Sequence, residues 1–111
     1  MRIAAIVLAA GKSERMGRPK ALLPLRGSTF LENILATIKH SAIAETVVVV
    51  GHHADTILAA IQVEHSVINA DYEKGMTTSI QTGIRELASG VDGAMLFLVD
   101  HPIVESTTID A

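Results

Sequence analysis

Four apolar segments divide the chain, and each is continuous rather than alternating with polar residues. They are Ile3–Ala9, residues 47–50, the shorter Ser66–Ile68 and residues 94–99. A strand that helices cover on both faces is typically apolar throughout, because neither face meets water. The pattern therefore predicts four buried strands.

Segments with helical periodicity lie between these strands. The first predicted helix has on one face Phe30, Leu31, Ile34, Leu35 and Ile38. Thr29 and Glu32 at its start have the spacing of a capping box. A short second helix is predicted from Ile57, Leu58 and Ile61. The third has on its apolar face Met76, Ile80, Ile84 and Leu87, and on its polar face Thr77, Thr78, Gln81 and Arg85.

The alternation of strands and helices predicts one α/β domain over residues 1–111, with an open doubly wound parallel sheet. Such sheets bind ligands at the carboxyl ends of their strands, so the segments after residues 9, 50, 68 and 99 are where we expect a site. The sequence ends about one turn into a predicted helix after the fourth strand, as if truncated there. The apolar strand at residues 94–99 is then expected to have an uncovered edge. Three explanations stay open: a piece of a longer protein, pairing with a second copy at this edge, or a reduced domain.

Composition excludes several classes of protein. The 111 residues are 49% hydrophobic and 19% charged, which is typical of a domain with a buried core. The net charge of -3 argues against binding to nucleic acid or to an anionic membrane. The absence of cysteine excludes a disulfide scaffold, a thiolate metal site and a cysteine nucleophile. With no apolar run of about 18 residues and no signal-peptide cleavage pattern, we expect a soluble cytoplasmic protein.

The segment after the first strand concentrates positive charge in a chain that is acidic overall. Residues 8–20 read LAAGKSERMGRPK and include four of the nine Lys and Arg residues, namely Lys12, Arg15, Arg18 and Lys20. The small residues at positions 9–11 let a ligand approach the backbone, whose N–H groups can surround phosphate oxygens. The charge excess indicates an anionic ligand, although a solvated basic loop has the same composition.

Two familiar phosphate-binding patterns do not fit this loop. A Walker A loop requires a leading glycine where the chain has Ile6, and a dinucleotide-binding G-x-G-x-x-G requires a glycine where it has Ser13. The order of residues 8–25 instead closely resembles L-A-A-G-x-S-x-R-M-G-x-x-K-x-L-L-P-L. That is the pattern of the MobA/MocA-like nucleotidyltransferases, and similarity to it extends through residues 47–51, 69–80 and 98–102.

The resemblance implies that an acceptor phosphate attacks the α-phosphorus of a nucleoside triphosphate and that pyrophosphate leaves. By resemblance, Ala9, Ala10, Gly11, Lys12 and Ser13 hold the nucleotide's phosphates. Arg15 would hold the pyrophosphate group, and Lys20 would stabilise charge at the α-phosphate. Gly75 and Ser79, at the start of the third predicted helix, would help to bind the nucleotide. Capping of that helix by Thr77 or Thr78 explains part of the same pattern.

The resemblance also implies a metal site at Asp100, which follows the fourth predicted strand in a D-x-P pattern. A carboxylate there suits Mg²⁺, which prefers oxygen ligands and bridges to phosphates. An Asx turn before Pro102 is the alternative. The family usually has a second acidic ligand further along, and neither Glu105 nor Asp110 is an evident replacement.

The identity of the nucleotide depends on one residue. Relatives that transfer guanylyl groups commonly have Leu-Ala-Gly-Gly in the first loop, whereas those that transfer cytidylyl groups have Leu-Ala-Ala-Gly, as here. The extra methyl of Ala10 favours CTP, and molybdopterin is the expected acceptor. The alternatives are a guanylyltransferase, a sugar-phosphate nucleotidyltransferase, or a nucleotide-binding module without catalysis.

The pair His52 and His53 invites a metal-site interpretation. No further ligands with recognisable spacing accompany the pair, since His40 and His65 lie on other connections. We expect instead that Asp55 caps the second helix.

Overall fold

The computed structural model describes residues 2–11, 14–15, 18–99 and 106–110. Its strands are β1 (Ile3–Ala9), β2 (Glu14–Arg15), β3 (Arg18–Pro19), β4 (Pro24–Leu25), β5 (Ser28–Thr29), β6 (Glu45–Val50), β7 (Ser66–Ile68), β8 (Gly93–Leu98) and β9 (Ser106–Asp110). Its α-helices are α1 (Phe30–Lys39), α2 (Ala54–Ala60) and α3 (Met76–Glu86), with single 3₁₀ turns at Lys20–Leu22 and Tyr72–Lys74. Within these ranges, none of the helices has the length and apolarity needed to cross a bilayer.

The main sheet has the strand order β7-β6-β1-β8-β9. The first strand is central and pairs in parallel with β6 on one side and with β8 on the other. The three-residue β7 continues the parallel sheet beyond β6. Four parallel strands thus lie where the apolar segments predicted them, and the α/β fold class is confirmed.

The fifth strand corrects the expectation that β8 has an uncovered edge. Residues 106–110 form a strand rather than a helical turn, and β9 pairs antiparallel with β8, with Phe97 opposite Ser106 and Gly93 opposite Asp110. Two causes act together: Thr107, Thr108 and Ile109 are β-branched and favour extended backbone, and the edge of β8 supplies a strand for them to pair with. The edge of β8 is therefore not available for pairing with a second copy.

The helices cover the sheet as two layers, and each layer has its own core. On one face, α1 and α2 bury Leu31, Ile34 and Ile57 against alternate residues of β1 and β6. On the other face, α3 and the turn at Tyr72–Lys74 pack over the intervening residues, including Ile6, Val47 and Val49. Successive side chains of a strand point to opposite faces, so each strand contributes to both cores.

The helix starts agree with prediction at α1 and differ at α2. Thr29 caps α1, its Oγ1 accepting from the Glu32 N–H at 3.1 Å, while the Glu32 carboxylate accepts from the Thr29 N–H at 3.0 Å. The predicted capping box is therefore confirmed. At α2 the N-cap residue is His53, without a side-chain capping bond. Asp55 lies inside the first turn, where its negative charge interacts favourably with the helix dipole. Its side chain does not cap the helix, so the prediction that Asp55 caps α2 was wrong.

The buried face of α3 agrees only in part with the predicted apolar face, because Ile80 and Leu87 pack against the core whereas Met76 and Ile84 are exposed. Its buried residues are Ser79 and Gly83, whereas Met76 is 55% exposed and Ile84 is 40% exposed. The reason is close packing, since a Cβ added at Gly83 would lie 2.7 Å from Ile6 Cγ2 and 3.1 Å from Val49 Cγ2. Small residues therefore face the sheet and bring the helix near it.

Replacing Gly83 with alanine is expected to destabilise the fold despite the higher helix propensity of alanine. The clash with Ile6 and Val49 outweighs the gain of about 1 kcal/mol in propensity, because overpacking of a dense core costs about 1–3 kcal/mol. We expect Tm to fall by several degrees. Thermal unfolding should show no comparable loss for Gln81→Ala, at an exposed position of the same helix. A rise in Tm for Gly83→Ala would contradict the close packing.

Candidate functional site

A cavity opens at the carboxyl edge of the parallel strands. It has a volume of about 250 Å³ and is lined by the ends of β1 and β8, the turn at Lys20–Leu22, and the first residues of α2 and α3. Because β1 is central, its carboxyl end lies between the two helical layers, and the cavity reaches from one layer to the other. Open parallel sheets bind ligands at this place.

The floor of the cavity is the segment that follows β1. Ala9 and Ala10 are buried and Gly11 is exposed, and all three line the cavity. The backbone here is tied to the next strand, since the His52 N–H donates to the Ala10 carbonyl at 3.1 Å. These residues have small side chains, so a ligand in the cavity meets the backbone closely.

Gly51 makes this arrangement possible. A Cβ added at this position would lie 2.7 Å from the Ala10 carbonyl oxygen and 2.9 Å from Tyr72 Cβ. Ala10 Cβ would be the third neighbour, at 3.0 Å, so the added methyl group would press on Ala10 and on Tyr72, which lines the cavity. The absence of a side chain at Gly51 lets the loops after β1, β6 and β7 converge.

Lys20 contributes positive charge from the side of α1 and α2. It is half-buried and begins the 3₁₀ turn, whose Ala21 is buried in the core beneath those helices. Among the lining residues of the described part of the chain there is no Asp or Glu, and Lys20 is the one with a formal charge at pH 7. The cavity therefore suits an anionic ligand.

The opposite wall comes from the side of α3. Gly75, Met76 and Ser79 line the cavity from the start of this helix, together with Tyr72. The Tyr72 hydroxyl lies 3.2 Å from His52 Nδ1. A helix N-terminus presents unpaired backbone N–H groups, which favour acceptor atoms of a ligand.

A buried asparagine organises this wall. Asn69, which follows β7 and is 3% exposed, donates from Nδ2 to Thr78 Oγ1 at 3.0 Å and to Ser79 Oγ at 2.9 Å. Its Oδ1 accepts from the Asp71 N–H at 3.0 Å, and its own N–H donates to the Val50 carbonyl. Neither Thr77 nor Thr78 caps α3, because the N-cap is Gly75 and Thr78 Oγ1 instead donates to the Gly75 carbonyl at 2.7 Å, with the Asp71 carbonyl 3.1 Å away.

The structure brings together six of the residues that the sequence predicted for the site. Ala9, Ala10, Gly11, Lys20, Gly75 and Ser79 line one cavity. The backbone of Arg15 lies in β2, opposite Arg18 of β3. Lys12, Ser13 and Asp100 lie outside the described residues. Asp100 follows Val99, which lines the cavity.

His53 also lines the cavity, and its ring packs edge-on against that of His52 with centroids 4.5 Å apart. Over the described ranges, no group of three or more His, Cys, Asp and Glu side chains is placed to hold a metal ion. His53 is thus part of the wall of the cavity, and the ring of His52 packs against it.

A larger groove of about 640 Å³ lies at the opposite edge of the sheet. It is lined by the end of α1, the start of β6 and residues 62–65, which precede β7. This is the amino edge of the strands, where doubly wound sheets do not bind their ligands. The smaller cavity at the carboxyl edge is the better candidate.

Sequence reasoning missed two residues of this wall, Asn69 and Tyr72. A usable signal was present for the first, because a polar residue directly after a strand lies at the carboxyl edge, where a site is expected. Tyr72 gave no such signal, since its place depends on the 3₁₀ turn and on the space beside Gly51.

Comparison with known proteins agrees with these observations. The model of the MobA-like NTP transferase domain matches residues 5–111. Nicotine blue oxidoreductase of Paenarthrobacter nicotinovorans is 36% identical over 110 residues, which are 96% of this chain and 53% of that protein. Bifunctional protein GlmU of Gloeobacter violaceus is 38% identical over 112 residues, which are 97% of this chain and 24% of that protein.

A solved structure gives the same result at the level of the fold. Rv0371c of Mycobacterium tuberculosis superposes with a TM-score of 0.78 at 28% identity, over 91% of this chain and 52% of that one. The same protein has been solved as a complex with manganese. The chain thus spans about half the length of two of these proteins and a quarter of the third. Because the family model matches the segment that forms the cavity and nearly all of the remaining chain, this protein belongs to the family of MobA-like NTP transferase domains.

Proposed function

We propose that this chain is the nucleotide-binding part of a Mg²⁺-dependent nucleotidyltransferase that transfers CMP from CTP to molybdopterin. The observation that carries the proposal is the cavity between Ala9–Gly11, Lys20 and the start of α3, in a member of the NTP transferase family. Small residues, one positive charge and a helix N-terminus suit a triphosphate that is bound along its length.

The reaction is a displacement at phosphorus. A phosphate oxygen of the acceptor attacks the α-phosphorus of CTP, the bond to the β-phosphate oxygen breaks, and pyrophosphate leaves with the bonding electrons. Catalysis of such a step consists mainly of positioning and of stabilising negative charge. Lys20 stabilises charge at the α-phosphate, Arg15 holds the pyrophosphate, and the backbone of residues 10–13 surrounds the phosphates.

The metal would be held by Asp100 together with phosphate oxygens of the substrate. One carboxylate plus phosphates is a donor set that Mg²⁺ accepts, and the described lining residues supply no other carboxylate. When bound, Mg²⁺ neutralises negative charge on the phosphates. The manganese complex of Rv0371c supports the use of a divalent ion by relatives.

The preference for CTP rests on Ala10. Ala10 lines the cavity, and its methyl group takes up space that a glycine at this position would not. A pyrimidine needs less of that space than a purine. Molybdopterin remains the proposed acceptor because of the resemblance to the MobA/MocA-like enzymes.

Selective stabilisation by CTP tests the nucleotide. At about 100 times its Kd, CTP with Mg²⁺ should stabilise the fold by about 2.7 kcal/mol, which raises Tm by several degrees. Thermal unfolding with CTP, GTP, ATP and UTP, each at equal concentration, should show the largest shift for CTP. Equal shifts for all four nucleotides would overturn the preference, and no shift for any of them would overturn nucleotide binding.

Oxidoreduction is a second candidate function, because a relative that is 36% identical to this chain is named nicotine blue oxidoreductase. The two candidates differ in their products. Transfer releases pyrophosphate in proportion to the acceptor consumed, whereas oxidoreduction releases none. Measuring pyrophosphate with CTP and molybdopterin, and with sugar 1-phosphates as alternative acceptors, distinguishes them.

A further inference from the structure

The orientation of the Asn69 side chain is fixed by a backbone group. The atom that faces the Asp71 N–H at 3.0 Å must be the amide oxygen, because a backbone N–H only donates. The amide nitrogen therefore faces the first turn of α3, where it lies 3.0 Å from Thr78 Oγ1 and 2.9 Å from Ser79 Oγ. Since this nitrogen only donates, both hydroxyl oxygens accept.

The two hydroxyl groups differ in what happens to their own protons. Thr78 Oγ1 donates to the Gly75 carbonyl at 2.7 Å and lies 3.1 Å from the Asp71 carbonyl, so its proton is used within the wall. Ser79 Oγ makes its hydrogen bond as the acceptor from Asn69. In the described part of the chain, its proton has no acceptor within hydrogen-bond distance.

Ser79 nevertheless lies where an acceptor is needed. Ser79 is 5% exposed and lines the cavity, so water or a ligand reaches its hydroxyl group only through the cavity. A buried donor without an acceptor costs about 1–3 kcal/mol. A ligand oxygen beside Ser79 removes this cost, and the same atom would be close to the N-terminus of α3.

We propose that Asn69 is a positioning residue that holds the Ser79 hydroxyl as a hydrogen-bond donor to an acceptor oxygen of the bound nucleotide. The inference rests on the proposed nucleotide-binding function, and it adds which partner is the donor and which is the acceptor in one hydrogen bond to the nucleotide. The acceptor is either a carbonyl oxygen of the base or an oxygen of a phosphate. A ligand that presents only a donor at this point is disfavoured, because it would leave the proton of the Ser79 hydroxyl without an acceptor.

The variant Asn69→Asp separates polarity from packing. It keeps the size of the side chain and the oxygen that accepts from Asp71, but it places an acceptor where the amide nitrogen donates. The Ser79 hydroxyl then turns its proton toward the new carboxylate and away from the ligand. We expect the Kd for CTP to rise about tenfold, and that for Ser79→Ala to rise about three- to tenfold, as for the loss of one hydrogen bond.

A double-mutant cycle tests whether Asn69 acts through Ser79. The double variant Asn69→Asp/Ser79→Ala should raise the Kd for CTP no more than the single variant with the larger effect does, because both substitutions remove the same contact. Additive losses would indicate a separate structural role and would overturn the proposal. If Asn69→Asp does not fold, Ser79→Ala decides alone, since an unchanged Kd in that variant also overturns it.

The control is Thr82→Ala, which removes a hydroxyl from the same helix one turn away. Thr82 Oγ1 donates to the Thr78 carbonyl at 2.7 Å and does not line the cavity. Its Kd for CTP should equal that of the unmodified chain, and Tm without ligand is measured for every variant. A raised Kd in the control would mean that the other variants lose affinity for CTP because the helix is disturbed, and not because the contact is lost.

Inorganic triphosphate distinguishes the two sources of the acceptor. If Ser79→Ala weakens CTP binding but leaves triphosphate binding unchanged, the acceptor is a base carbonyl. If it weakens both equally, the acceptor is a phosphate oxygen. If it weakens neither, the proposal fails while nucleotide binding stands, whereas failure of the unmodified chain to bind CTP would remove the proposed function itself.

Discussion

Lys20→Ala is expected to lower turnover by about 100- to 1,000-fold while changing the Kd for CTP less than about fivefold. A group that stabilises charge as it develops contributes more to the transition state than to the bound substrate, and removal of one such group typically has an effect of this size. The half-buried position of Lys20 in a cavity without described acidic neighbours strengthens its field there. Pyrophosphate release and equilibrium binding of CTP, measured on the same preparation, give the two quantities.

Lys39→Ala is the matched control for this variant. Lys39 is an exposed lysine in the last turn of α1 and does not line the cavity, so its removal should leave both quantities unchanged. Equal losses of turnover and binding in Lys20→Ala would mean that the lysine binds substrate and transition state alike. The role at the α-phosphate would then be wrong.

Gly51→Ala is expected to weaken CTP binding at least tenfold and to lower Tm by several degrees. The added methyl group would lie 2.7 Å from the Ala10 carbonyl oxygen and 2.9 Å from Tyr72 Cβ, and backbone cannot move aside as a flexible side chain can. Overpacking of this kind costs about 1–3 kcal/mol and displaces the floor of the cavity. Calorimetry with CTP and thermal unfolding without it measure the two effects.

Gly90→Ala separates the loss of stability from the loss of binding. Gly90 has a φ of +94° and no atom within 4 Å of an added Cβ, so alanine there strains the backbone without touching the site. It should lower Tm and leave CTP binding unchanged. If Gly51→Ala binds CTP as well as Gly90→Ala does, the convergence of loops at Gly51 does not shape the cavity.

The buried strands could be predicted because their signal is local. Residues 4–9 of β1 and 47–50 of β6 are buried on both faces of the sheet, and they are accordingly apolar at every position. The start of α1 was equally predictable, because Thr29 and Glu32 are three residues apart and form reciprocal hydrogen bonds. Each of these features depends on residues that are close in sequence.

Features that depend on tertiary contacts were not predictable in the same way. The pairing of β9 depends on the free edge of β8, and the face that α3 buries depends on the space left by Gly83 over Ile6. Periodicity identified Met76 and Ile84 as apolar but gave no information about how close the helix lies to the sheet. Packing distance therefore decided which residues are buried.

The candidate site was predictable where the topology of the sheet dictates it. Parallel strands bring their carboxyl ends together, so the segments after residues 9 and 68 were expected to share a site, and Gly11 and Gly75 from these segments line the same cavity. The hydrogen bonds of Asn69 could not be anticipated, because Ser79 is ten residues away and the turn between them sets their distance.

The central position of β1 has a consequence for how the protein is made. β1 is synthesised well before β8, yet β8 is one of its two neighbours, and Ile3 pairs with Gly93. On the ribosome, one edge of a wholly apolar strand must therefore wait until about 90 further residues have emerged. Until then, the nascent chain exposes a row of unpaired backbone groups, which is the kind of surface that molecular chaperones protect.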